Sequence, residues 1–80
     1  MLDNKKEKVL ILGLSKTGIA AAKYLAKHGA SCFITELNEK NENNNEKCLT
    51  DLKNAHINVE IGKLSNEFIE NAAYAVASPG

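Results

Sequence analysis

Apolar side chains recur along this chain in two alternating rhythms. Val9, Leu10, Ile11 and Leu12 form an unbroken run with no polar alternation, the signature of a strand buried on both faces of a parallel sheet. From Gly18 to His28 the apolar positions Ile19, Ala22, Leu25 and Ala26 follow at threes and fours, which predicts a helix with one buried face. Lys16, Ala20, Lys23 and Lys27 fall on its solvated side, and Gly29 stands where a left-handed closing residue is wanted. A second apolar run, Cys32 to Ile34, ends at Thr35 and Glu36. Helical spacing returns from Glu46 to Ala55 through Cys48, Leu49, Leu52 and Ala55.

Asn58 to Ile61 alternates polar and apolar residues, as an edge strand does. Ser65 would cap a short helix carrying Phe68, Ile69 and Ala72 inward, and Tyr74 to Ala77 makes a fourth strand. The Asn-rich, charged stretch from Asn38 to Asn45 reads as an exposed, solvated loop. Strands alternating with helices predict an α/β, Rossmann-like fold in three layers, a parallel sheet of about four strands with helices on both faces. Right-handed crossovers favour the strand order 3-2-1-4. The chain stops on a strand, which we read as a single domain, 1–80, truncated from a longer protein.

Composition narrows the partners. Ten Lys, no Arg and ten acidic residues give formal neutrality, removing the long-range field of nucleic-acid and anionic-membrane binders. No apolar run approaches the ~20 residues that cross a bilayer. Two cysteines, Cys32 and Cys48, make no disulfide framework, so a reducing, cytoplasmic setting is expected. Both fit the apolar pattern as inert thiols. His28 near a helix end and His56 in a turn have no second ligand at metal spacing, so no metal site is expected. Tyr24, Tyr74, Phe33 and Phe68 are too scattered for a base-stacking surface.

The informative segment is Gly13-Leu14-Ser15-Lys16-Thr17-Gly18, which reads strand, G-x-S-x-x-G, helix. Gly13 fits the tight turn of the dinucleotide fingerprint and Gly18 its close helix–strand packing, while Ser15 replaces the glycine that lets backbone approach a pyrophosphate. The Ser15 hydroxyl could itself donate to a phosphate oxygen. Amides opening a helix at Lys16 to Gly18 suit an anion. A triphosphatase loop fails on spacing, because Ser15 stands where it requires a glycine directly before Lys16. Glu36, eighteen residues after Gly18, lies where that fingerprint expects an acid. In the 3-2-1-4 order, Ser78, Pro79 and Gly80 would follow the fourth strand beside the glycine turn, so that three segments converge at the carboxyl edge of the sheet. The residues alone leave open a nucleotide-sugar site, a nicotinamide-dinucleotide site with Glu36 on a ribose hydroxyl, and a ligand-free interaction module.

Gly13 to Ala20, Glu36 after the second strand and Ala77-Ser78-Pro79-Gly80 after the fourth together resemble the Mur ligases, over essentially the whole chain. They are most similar to the amino-terminal domain of the branch that joins D-glutamate to UDP-N-acetylmuramoyl-L-alanine in bacterial peptidoglycan synthesis. The resemblance implies that Ser15, Lys16 and Thr17, flanked by Gly13 and Gly18, face the diphosphate. It implies that Glu36, Leu37 and Asn38 contact the uracil, and that Ser78, with Pro79 and Gly80, lines the same pocket. Family members commonly carry Gly at the position of Ser15, Asp at Glu36, and more polar or cationic residues at Leu37 and Asn38. By the same resemblance ATP and Mg serve the parent ligase in later domains, so the expectation for these 80 residues is substrate binding with no catalytic residue.

Overall fold

The computed structural model describes residues 8–63 and 74–77. Within it run β1 (Lys8–Leu12), α1 (Lys16–Lys27), β2 (Ser31–Glu36), α2 (Glu46–Asn54), β3 (Asn58–Ile61) and β4 (Tyr74–Ala77). All strand pairings are parallel, and the sheet has the order β3-β2-β1-β4. The register sets Leu12 beside Thr35 on one side and beside Ala77 on the other, so β1, β2 and β4 finish near one level. The helix expected from Ser65 lies outside the described residues.

Period-two alternation divides the side chains of the sheet between two faces. Val9 and Ile11 of β1 and Cys32 and Ile34 of β2 form one core with Leu14, Ala22 of α1, Leu52 of α2 and Ile57. Both described helices therefore pack on the same face of the sheet, and Lys23 of α1 forms an ion pair with Asp51 of α2 across its outer surface. Leu10 and Thr35 alternate to the other face and are also buried. Burial on both sides is the physical reason the β1 run is continuously apolar. The solvated stripe of α1 is as its spacing predicts, with Lys16, Ala20, Lys23 and Lys27 all exposed.

Both helices are closed by local chemistry. α1 starts two residues earlier than its apolar period indicates, because Ser15 is extended (φ −113°, ψ 166°) and its Oγ accepts the Gly18 N–H at 3.0 Å. Asn45 caps α2 in the same way, through Oδ1 and the Cys48 N–H at 2.8 Å. Each C-terminus is a Schellman motif: Gly29 N–H donates to Ala26 O and Ala30 N–H to Leu25 O, while His56 N–H donates to Lys53 O and Ile57 N–H to Leu52 O. The left-handed position is a glycine in α1 but His56 (φ 63°) in α2.

Candidate functional site

The sheet places its functional residues at the carboxyl edge, where a β-strand hands over to a helix. Gly13 follows β1 with φ 109°, a conformation in which a side chain would be strained. Its N–H donates to Thr35 O at 2.8 Å, extending the β1–β2 ladder into the turn. Gly18 fills its expected packing role. A Cβ there would lie 2.9 Å from Gly13 O, 3.2 Å from Ile11 Cγ2 and 3.3 Å from Ser15 Oγ, so only glycine lets α1 sit this close to β1.

Leu14, between them, is fully buried in the core and anchors the loop. Ser15 serves as the cap of α1, and its hydroxyl oxygen accepts the Gly18 N–H. With Gly18 capped, the Lys16 and Thr17 N–H groups occupy the first turn, where no intrahelical acceptor exists. Both residues are exposed, and the positive end of the α1 dipole lies behind them.

Glu36 is where the spacing puts it, at the end of β2, but its carboxylate is turned onto the protein. Oε1 accepts the Leu14 N–H at 2.7 Å and the Asn41 side-chain amide at 2.8 Å, and Oε2 accepts the Asn38 N–H at 3.0 Å. These bonds, led by the one from Leu14, hold its pKa below the ordinary carboxylate value, against a smaller opposing push from burial. Glu36 thus ties the glycine turn to the loop after β2. Burial alone raises the pKa of the Cys32 thiol, in keeping with an inert core cysteine.

The stretch from Asn38 to Asn45 departs from the solvated loop that its composition suggests. Asn41, Asn43 and Asn44 are half-buried. Asn38 and Asn41 close Asx turns by accepting the N–H of Lys40 and Asn43, respectively. Asn43 Nδ2 reaches Leu14 O at 3.1 Å across twenty-nine positions of sequence. No local pattern signals that partner, because an isolated asparagine reads the same whether it faces water or a distant carbonyl.

Two hollows result. A cleft of about 470 Å³ lies between the glycine turn (Leu14, Ser15, Lys16) and the asparagine loop, with Lys16 and Lys40 on its walls. A second hollow of about 310 Å³ at the strand ends is lined by Leu12, Gly13, Thr35, Glu36 and Leu37. Leu37 is 67% exposed there. Gly13, Ser15, Lys16, Thr17, Gly18, Glu36, Leu37 and Asn38 therefore share one edge of the sheet. Ser78, Pro79 and Gly80 lie outside the described residues, although β4, which leads into them, ends beside Leu12. Among the described residues, no group of three or more His, Cys, Asp or Glu side chains could hold a metal ion, and no helix is long and apolar enough to cross a membrane.

A parallel α/β sheet with a glycine turn opening its first helix defines a Rossmann-like domain. Precorrin-2 dehydrogenase SirC shares this fold, with a TM-score of 0.66 at 20% identity over 100% of this chain and 38% of its own. Sequence comparison is more specific. The chain belongs to the family described as Mur ligase MurD-like, N-terminal domain, which it matches over residues 7–80. Relatives are the UDP-N-acetylmuramoylalanine–D-glutamate ligases of Geotalea daltonii (32% identical, 99% of this chain and 17% of the relative), of Ligilactobacillus salivarius (40%, 92% and 16%) and of Clostridioides difficile (37%, 99% and 17%). This chain thus spans about a sixth of the length of those enzymes.

Proposed function

We infer that the chain is the nucleotide-binding domain of a cytoplasmic bacterial ligase that adds D-glutamate to UDP-N-acetylmuramoyl-L-alanine, and that it holds the UDP portion of that substrate. The observation that carries this reading is the coincidence of membership in the MurD-like family with an open helix start at the sheet's carboxyl edge. The Lys16 and Thr17 amides and the α1 dipole supply positive potential for a diphosphate without requiring a cationic protein surface. Gly13 and Gly18 shape the turn, and Ser15 would face the diphosphate from the helix cap. Leu37 and Leu12 offer apolar surface to a flat pyrimidine in the strand-end hollow. Asn38 borders the neighbouring cleft.

Glu36 would brace the turn in addition to the uracil contact that the family resemblance implies. Three protein donors already occupy its carboxylate, so only the remaining Oε2 lone pair is left for a uracil N–H, and its main work is to brace the turn. By the family resemblance Ser78, Pro79 and Gly80, which follow β4 in the sequence, would belong to the same site. The phosphate-activation chemistry of the ligase, with its ATP and Mg, belongs to domains beyond these residues. Lys16-Thr17 does not fit an ATP loop, because Ser15, not glycine, precedes it.

Saturation-transfer NMR with UDP and with NAD tests the reading. UDP protons should receive magnetisation and NAD should not displace UDP. Preferential binding of NAD would assign the domain to dinucleotide chemistry instead, and silence from both would leave it an interaction module.

A further inference from the structure

We propose that Asn43, assisted by Asn41, is a positioning residue for the phosphate-binding turn, acting through the backbone of Leu14. This rests on the reading of the glycine turn as the UDP site.

The argument begins with two successive peptide planes. In the Gly13–Leu14 peptide, the N–H of Leu14 is fixed by Glu36 Oε1 at 2.7 Å. A trans peptide points its carbonyl the opposite way, and Gly13 O accordingly faces α1 at Gly18. In the Leu14–Ser15 peptide the carbonyl is fixed instead, by Asn43 Nδ2 at 3.1 Å. By the same planarity this sets the direction of the Ser15 N–H, and with it the entry angle of the residue that caps α1. Leu14 is therefore clamped at its N–H by the last residue of β2 and at its C=O by a side chain from the β2–α2 connection. Asn41 completes the clamp by donating to the same Glu36 oxygen that receives Leu14, which fixes the rotamer of that carboxylate.

The donors are themselves held in place. Asn41 Oδ1 accepts the Asn43 N–H at 2.8 Å, so the two amides move as one turn. The side chain of Asn44, next to them, donates instead to Glu39 O within its own loop. Glycine turns that bind anions work by aiming several N–H groups at one point, and any freedom in those peptides is lost on binding. Fixing both peptides beforehand lowers that loss. The consequence is selective: Asn43 should matter for the phosphates, which meet the turn, and not for the nucleoside.

The test compares UDP with uridine on the same chain by NMR titration. Asn43→Ala should weaken UDP binding about fivefold, the equivalent of one neutral hydrogen bond, and leave uridine affinity unchanged. Aspartate is avoided at this position because its charge would itself repel an anion. Asn41→Ala should shift UDP affinity in the same direction, which covers the case in which Asn43→Ala does not fold. Asn44→Ala should leave both ligands unaffected. Equal losses for UDP and uridine, an equal loss in Asn44→Ala, or unchanged UDP affinity in the Asn43 and Asn41 variants would each overturn the positioning role while the site assignment stands. A parent chain that binds no UDP would overturn both.

Discussion

Replacing Gly18 by alanine sets two effects of opposite sign against each other. Intrinsic helix propensity favours alanine over glycine by up to about 1 kcal/mol, so a reading of α1 in isolation predicts a more stable protein. The structure predicts the reverse. The added Cβ would lie 2.9 Å from Gly13 O, closer than such atoms approach, with Ile11 Cγ2 at 3.2 Å and Ser15 Oγ at 3.3 Å. The nearest neighbour is backbone, and it cannot swing aside, because the same peptide carries the Leu14 N–H bonded to Glu36. Forcing a methyl into a close-packed contact costs typically 1–3 kcal/mol, which outweighs the propensity gain and leaves a net loss of about 1 kcal/mol. In a domain of this size that lowers Tm by roughly 4–8 °C. Thermal denaturation followed by circular dichroism measures it, with Ala20→Gly on the exposed side of the same helix reporting propensity alone. A Gly18→Ala protein with unchanged or raised Tm would refute the argument that close packing requires this glycine.

Two further outcomes follow from the local chemistry. His56 holds a left-handed conformation that costs a side chain roughly 1–2 kcal/mol, so His56→Gly should raise stability by about 0.5–1 kcal/mol after glycine's own entropy is counted, as urea denaturation would show. Because folding lowers the pKa of Glu36, its contribution is complete above the ordinary value of 4.5 and is lost as pH falls through the lower folded value. The stability gap between the parent chain and Glu36→Gln should therefore shrink on acidification. A gap that widened toward acid would mean that the carboxylate is not braced as described.

Much of the fold was open to a reading of the sequence because its signals are short-range. The apolar run of β1, the three-and-four spacing of α1 and the turn residues between them depend on neighbours within a few positions. Gly13 and Gly18 were legible for the same reason, since a strand-to-helix turn restricts both. Long-range satisfaction was not. Glu36 sits at the expected distance from the glycine turn, yet nothing local shows that its carboxylate faces Leu14 twenty-two residues earlier rather than a ligand. The asparagine loop was opaque in the same way: Asn43 is polar and lies between turn residues, and only the fold brings Leu14 to it. The apolar period of α1 begins only at Gly18, because a hydrophobic period cannot register a polar first turn, whereas the Ser15 cap does.

The central claim is that the open amides of α1 receive the diphosphate. The most direct measurement is a nitrogen–proton correlation spectrum of the chain titrated with UDP, since each amide reports its own surroundings. The account predicts that the largest, saturable shifts fall on Lys16 and Thr17, with smaller ones at Leu37 and Asn38, and that uridine reproduces only the latter. Shifts centred on Gly29 to Ser31 or Ala55 to Asn58, at the opposite edge of the sheet, would contradict it.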